Sequence, residues 1–251
     1  MKEPRKNLDT TTLNNSIRNV LKPYYVDYLG FANLSAYQQE LVKFGGNIVK
    51  GYQSGISIGL AIPDSIVDFL PERADVNVSC EYRIHGYEVL NNRLDLIASV
   101  VSSYLNQKGH RTLPIVVADR TDEENAIPSV SHKMIAHIAG LGWIGKNCLL
   151  VTPRHGPRLR LISVLTDAPL ETVDNPMDQN CGECIQCAKI CPVKAIKGKN
   201  FLMGESREER FDFIKCHNYF EHMKANQKYA VCGMCLYVCP MGMGKKSRRD
   251  Q

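Results

Sequence analysis

Eight of the ten cysteines in this chain stand in two runs of nearly the same spacing. The first is Cys181-x2-Cys184-x2-Cys187-x3-Cys191-Pro192, and the second is Cys216-x15-Cys232-x2-Cys235-x3-Cys239-Pro240. Each tight Cys-x-x-Cys turn presents thiolates to one inorganic centre, while the cysteine before proline reaches across to another. This is the ligand pattern of a protein holding two 4Fe-4S clusters. On that rule one cluster takes Cys181, Cys184, Cys187 and Cys239, and the other takes Cys216, Cys232, Cys235 and Cys191. A chain so equipped is expected to move electrons.

Zinc also accepts thiolates, but a structural zinc site needs only four of them. Two sets of four, each closed by a spacing of three and a proline, favour iron and sulfur. A disulfide framework is disfavoured as well. Residues 1–25 are polar and mixed in charge, with no export signal, so a cytoplasmic location is expected, where thiols stay reduced.

At 251 residues and 44% hydrophobic, the chain is long enough for a core domain plus a cluster domain. The formal charge is +5 with cysteines counted neutral. Each oxidised cluster with its four thiolates carries about −2, which brings the loaded protein near neutrality and removes the argument for a nucleic acid partner. The basic tail around Lys245, Lys246, Arg248 and Arg249 reads as a solvated end. No apolar run approaches the roughly 20 residues of a membrane span.

Hydrophobic periodicity orders the first 174 residues. Leu13, Ile17, Val20 and Leu21 predict a helix stopped at Pro23, and a second helix is expected over 35–44 before Gly45-Gly46. Ile56, Ile58, Leu60 and Ile62 alternate as a strand does. Leu90, Leu94, Ile97, Val101 and Tyr104 mark one face of a long helix, Leu113 to Ala118 reads as a buried strand, and Ser131 as the cap of a helix through Ile138. Residues 148–152 and 159–166 read as two strands of a hairpin joined through Pro153 to Pro157. The fold class is therefore α/β (α+β) with a mixed sheet, the core domain at 1–174 and the cluster domain at 175–251, linked through Asp174-Asn175-Pro176.

Gly140-Leu141-Gly142-Trp143-Ile144-Gly145 matches the G-x-G-x-x-G dinucleotide fingerprint, but that fingerprint follows a strand and opens a helix. Here a predicted helix precedes it and a strand-like run follows, so nicotinamide binding is not expected. Two readings stay open. The glycines form either a loop that lets backbone amides approach a bulky ligand, with Lys146 beside it, or a helix C-cap leading into a strand.

The run from Ser131-His132-Lys133 through Ala139-Gly140-Leu141-Gly142-Trp143-Ile144-Gly145-Lys146-Asn147, then Gly156-Pro157-Arg158, Thr166-Asp167-Ala168-Pro169-Leu170 and the double-cluster cysteines, resembles the epoxyqueuosine reductases. The part from Gly156 to Leu170 is also similar to corrinoid reductive dehalogenases. The resemblance implies a nitroreductase-like core, a ferredoxin-like cluster domain, and a cobalamin held between them without its own base on cobalt. It implies that Ser131, His132, Lys133, Gly140, Gly142, Trp143, Ile144, Gly145 and Lys146 border the corrinoid, and that an external low-potential donor of ferredoxin or flavodoxin type supplies electrons. The cofactor then carries the hard chemistry, and the protein supplies orientation and potential.

Two departures shape the expectation. Where epoxyqueuosine reductases carry an acidic proton donor this chain has Ala126, with Asp119, Asp122, Glu123 and Glu124 upstream; Asp122 and His132 are the catalytic candidates. Those reductases also continue into a helical-repeat domain that helps hold transfer RNA, whereas this sequence stops at Gln251, so a small molecule or a corrinoid protein is expected as substrate rather than nucleic acid. Dehalogenases use a tyrosine acid, for which Tyr82 and Tyr87 are the candidates. His132, at a helix start, suits a lower cobalt ligand or hydrogen-bond partner. Cys80 and Cys148 read as buried packing residues, and Arg154, Arg158 and Arg160 as strand-edge residues or contacts to an anionic group. The expected function is a cobalamin-dependent iron–sulfur reductase; the alternatives are an electron-transfer or corrinoid-activating protein without its own substrate, and a flavin reductase.

Overall fold

The computed structural model describes residues 10–117, 127–173 and 176–243. In chain order its elements are α1 (Thr10–Leu21), β1 (Tyr28–Asn33), α2 (Gln38–Gly45), β2 (Ser54–Ala61), α3 (Asp64–Val67), α4 (Val76–Arg83), a π-helical turn (Ile84–Val89), α5 (Leu90–Gln107), β3 (Thr112–Ile115), α6 (His132–Ile138), β4 (Trp143–Ile144), β5 (Leu150–Val151), β6 (Leu159–Thr166), α7 (Gln186–Ile190), α8 (Phe213–Asn226) and α9 (Met234–Tyr237). The fold is α/β, and the registered strand pairs β1–β2, β3–β6 and β4–β5 are antiparallel.

The chain forms two compact units, each assembled from three separate stretches. The first comprises Met1–Leu60, Asn91–Leu141 and Leu161–Pro176. Its sheet has the order β1-β2-β6-β3. Leu13, Ile17 and Leu21 bury one stripe of α1, which gives way at Pro23 to a 3-10 turn. On α5, Leu94, Ile97, Val101 and Leu105 are buried, while the expected Tyr104 is half-buried: the stripe turns toward Leu105 as a 3.6-residue period requires. A core of Ala32, Leu34, Val49, Ile115, Val130, Ile135, Ile138 and Leu165 joins α6 to the sheet.

The second unit comprises Ala61–Leu90, Gly142–Arg160 and Met177–Gln251, so the cysteine-bearing unit takes in far more than the consecutive stretch 175–251. A buried guanidinium ties these stretches together. Arg158, 1% exposed, donates from Nη1 to Asp64 Oδ1 at 2.8 Å and Asp68 Oδ1 at 2.7 Å, and from Nη2 to the Tyr237 carbonyl at 3.3 Å. One side chain thus fastens α3 and the end of α9 to the segment before β6. Arg73 adds a contact from Nη1 to Met234 Sδ at 3.1 Å.

The expected hairpin between residues 148–152 and 159–166 does not form. β5 pairs with β4, whereas β6 enters the larger sheet beside β3. The Pro153–Pro157 segment closes as a tight loop on the Thr152–Gly156 bridge. Ser131 stands at the N-cap of α6 with extended backbone, but its side chain makes no capping bond. Asp174 and Asn175 of the expected linker lie outside the described residues.

Candidate functional site

In the second unit, short helices bring the cysteines of both runs together. The Cys181–Cys184 turn is closed by the Cys184 amide on the Cys181 carbonyl at 3.0 Å, with Gly182 at φ +49°. Cys187 rides on α7 and Cys191 ends that helix, where Pro192 stops it. In the second run Gly233, at φ +67°, is the N-cap of α9, Cys235 lies within that helix, and Cys239 follows it, ahead of Pro240. A side chain at Gly233 would also meet Leu70 and the Tyr82 hydroxyl, so glycine is required there twice over. Cys216 is carried by α8, whose N-terminus is capped by Asp212 accepting from the Lys215 amide. α7 and α9 pack together.

The structure brings thiols of the two runs beside one another. Burial pushes Cys187 up to about 11, with Cys239, Cys181 and Cys184 nearby, and Cys239 up to about 11, with Cys181 and Cys184 beside it. Cys181, Cys184, Cys187 and Cys239 line one cavity together with Lys146, Asn147, Val151, Gln186 and Pro240. Burial likewise pushes Cys216 up to about 11 and raises Cys232 and Cys235; Cys232 and Cys191 lie near Cys216, and Cys232, Cys216, Cys187 and Cys191 lie near Cys235. Thiols raised in this way stay protonated near neutral pH until a metal displaces the protons. Among the described residues no three His, Cys, Asp or Glu side chains are close enough to hold a single metal ion. A cubane takes one thiolate at each iron corner.

The glycine-rich segment is not an open loop. Gly142 to Cys148 is buried, and β4 and β5 form a tight hairpin in which the Gly145 amide donates to the Leu149 carbonyl at 2.8 Å. A Cβ at Gly142 would lie 2.2 Å from the Val151 carbonyl oxygen, so this glycine serves the close approach of its own backbone. Of the expected corrinoid residues, Trp143 and Lys146 turn toward the first cysteine run: Trp143 Nε1 donates to Cys181 Sγ at 3.4 Å, and Lys146 Nζ to the Gly182 carbonyl at 2.7 Å. Asn147 Nδ2 reaches the Cys235 carbonyl at 3.3 Å. One hairpin therefore grips both Cys-x-x-Cys turns, a role that the sequence reading missed. Ile144 and Gly145 are buried within it.

In the first unit, Ser131 and Lys133 are half-buried at the start of α6, and Gly140, at φ +71°, follows its end beside Val173. His132 Nε2 lies 3.1 Å from the Val116 carbonyl, which only accepts, so this nitrogen carries the proton. Nδ1 accepts from the Ser163 hydroxyl at 3.1 Å. Both ring nitrogens are thus engaged, and the ring is a strut between α6 and the sheet rather than a lone pair presented to a metal. Asp122, with Asp119, Glu123, Glu124 and Ala126, lies outside the described residues.

Tyr82, 2% exposed, is buried in the second unit, where burial holds its hydroxyl well above the usual tyrosine range, and it packs edge-on to Tyr87 at 5.5 Å. Arg160 stacks over Tyr87 at 4.1 Å. Cys148, 5% exposed, receives Arg210 Nη1 at 3.3 Å, and Cys80 is half-buried and bonded to Tyr229.

Residues 180–242 match the 4Fe-4S double cluster binding domain. The epoxyqueuosine reductase of Listeria monocytogenes is 29% identical over 205 residues, 78% of this chain and 50% of that protein. The chain thus spans about half the length of such curated relatives. Among solved structures, an epoxyqueuosine reductase bound to an epoxyqueuosine-modified tRNA stem loop superposes with a TM-score of 0.61 at 22% identity, covering 94% of this chain and 67% of that one. A reductive dehalogenase described in terms of B12-dependent dehalogenation gives 0.72 at 19% identity, covering 99% of this chain and 34% of that one. At such identities the structures speak to the fold. No helix among the described residues is long and apolar enough to cross a membrane. The chain is similar in sequence to epoxyqueuosine reductases, shares a fold with them and with reductive dehalogenases, and matches a 4Fe-4S double cluster binding domain over residues 180–242.

Proposed function

We propose that this chain is an iron–sulfur reductase, with one 4Fe-4S cluster on Cys181, Cys184, Cys187 and Cys239 and a second on Cys216, Cys232, Cys235 and Cys191. The observation that carries the reading is the cavity in which Cys239 of the second run joins Cys181, Cys184 and Cys187 of the first. Bound there, the clusters supply one-electron carriers at low potential. The chain's own residues fix the sulfurs in tight turns and hold the turns with the β4–β5 hairpin. A low-potential external donor of ferredoxin or flavodoxin type feeds them.

We further infer that the electrons end on a bound corrinoid. Support comes from the resemblance and from the dehalogenase fold, with Ser131, Lys133 and Gly140 as the core residues left to border it. Because the curated relatives are epoxyqueuosine reductases, and one such enzyme is seen with a modified tRNA stem loop, an epoxyqueuosine-bearing stem loop is the first substrate to test, with small organohalides second.

The test is anaerobic reconstitution with iron and sulfide, followed by metal analysis and electron paramagnetic resonance of the reduced protein, then titration with cob(II)alamin. Two clusters and a cobalt signal that has lost its base support the full reading. Two clusters with an unchanged free-cofactor spectrum leave an electron carrier. Protein that holds zinc alone refutes both.

A further inference from the structure

Trp143 and Lys146 bring two electron-poor groups to one of the two thiol groups. Indole Nε1–H is a donor only, and when buried it must find an acceptor. Trp143 is 2% exposed, and the acceptor is the sulfur of Cys181. Lys146 is 6% exposed, and its ammonium donates to the Gly182 carbonyl, a neutral group. Among the described residues no carboxylate pairs with Lys146, and its side chain lines the cavity shared by Cys181, Cys184, Cys187 and Cys239. A buried cation without a counter-ion costs several kcal/mol. An anionic cluster on four thiolates in that cavity is the counter-ion that the site calls for.

We propose that Trp143 and Lys146 raise the reduction potential of the cluster on Cys181, Cys184, Cys187 and Cys239. This deepens the iron–sulfur reading and rests on it. Reduction adds one electron from the external donor, with no bond made or broken, and leaves the cluster one charge more negative. An N–H directed at a ligand sulfur and a desolvated ammonium beside the cluster both stabilise that more negative state, because the burial that makes the ammonium costly also keeps its field unscreened. Hydrogen bonds to the sulfurs, net charge and solvent exposure are the levers that spread cluster potentials, and this hairpin supplies the first two. The glycines at 142 and 145 bring the hairpin close enough for both contacts.

The experiment is a redox titration of the full chain, reconstituted and followed by electron paramagnetic resonance, on wild type, Lys146→Met, Lys146→Arg and Trp143→Phe, with iron and sulfide measured first. At the wild-type midpoint of the affected cluster, Lys146→Met is expected to lower its reduced-to-oxidised ratio about tenfold, equivalent to about 59 mV for one electron. Trp143→Phe is expected to lower the ratio several-fold and Lys146→Arg to restore it, while the other cluster titrates unchanged. If Lys146→Met and Trp143→Phe hold both clusters and titrate at wild-type potential, the proposal is overturned and the cluster reading stands. If wild type takes up no clusters, the reading beneath it fails. Should Lys146→Met lose its cluster, Lys146→Gln and Trp143→Phe carry the same test.

Discussion

Replacing Arg158 by methionine tests the account of how the second unit is assembled. Methionine keeps most of the aliphatic stem that packs where Gly242 leaves room, and removes only the charged fork. The fork makes two ion pairs, but the carboxyl side chains of Asp64 and Asp68 are 54% and 56% exposed and can rehydrate. Each pair is therefore discounted to about 1 kcal/mol. The bond to the Tyr237 carbonyl contributes about 1 kcal/mol more, and relief of guanidinium desolvation offsets part of the total. The expected net loss is about 2 kcal/mol, or roughly 4–8 °C in Tm for a chain of this size. Arg158→Lys should lose about half as much, since one ammonium cannot span two carboxylates and a carbonyl. Anaerobic urea unfolding of the reconstituted protein, followed by the visible absorbance of its clusters, reads the effect, and Asp64→Asn/Asp68→Asn supplies the double-mutant cycle. A methionine variant within about 0.5 kcal/mol of wild type, or a cycle with no coupling, would refute the role assigned to Arg158.

Cys184→Ala and Cys232→Ala should each lower bound iron and sulfide to about half while the first unit keeps its circular dichroism; full content in either variant would mean that the ligand assignment is wrong. Gly142→Ala drives a Cβ into the Val151 carbonyl, where backbone cannot yield, and is expected to cost about 3 kcal/mol or more and to appear as insoluble protein or early melting. Asp212→Ala removes the cap of α8, the helix that carries Cys216, and should lower the urea midpoint in the same assay, with Asp212→Ser recovering most of it.

Much of the site was legible because its chemistry is written at short range. The x2, x2 and x3 spacings and the following prolines are local, and a turn or a one-turn helix is all they need to present sulfur. Helix stripes such as Leu13, Ile17 and Leu21 are local as well. The glycine run was ambiguous for a physical reason: a missing Cβ tells only that something comes close, and at Gly142 that something is the chain's own Val151 carbonyl rather than a ligand. The strand at 159–166 was recognisable by its apolar run, but its partner was not, since pairing with β3 or with β5 satisfies the same backbone groups. Arg158 looked like a strand-edge charge because its carboxylate partners stand about ninety residues earlier.

The sequence by itself determined that this chain presents eight cysteines in a double-cluster spacing, and that α1, β2, α5, α6 and β6 are helices and strands, because spacing and periodicity act over a few residues. Tertiary structure decided which stretches share a compact unit, that His132 is a strut, and that the Gly142–Lys146 hairpin faces the cysteines with an indole N–H and a buried ammonium. Those outcomes depend on which distant groups meet a buried donor or charge, and desolvation makes such meetings obligatory without local sequence specifying the partner.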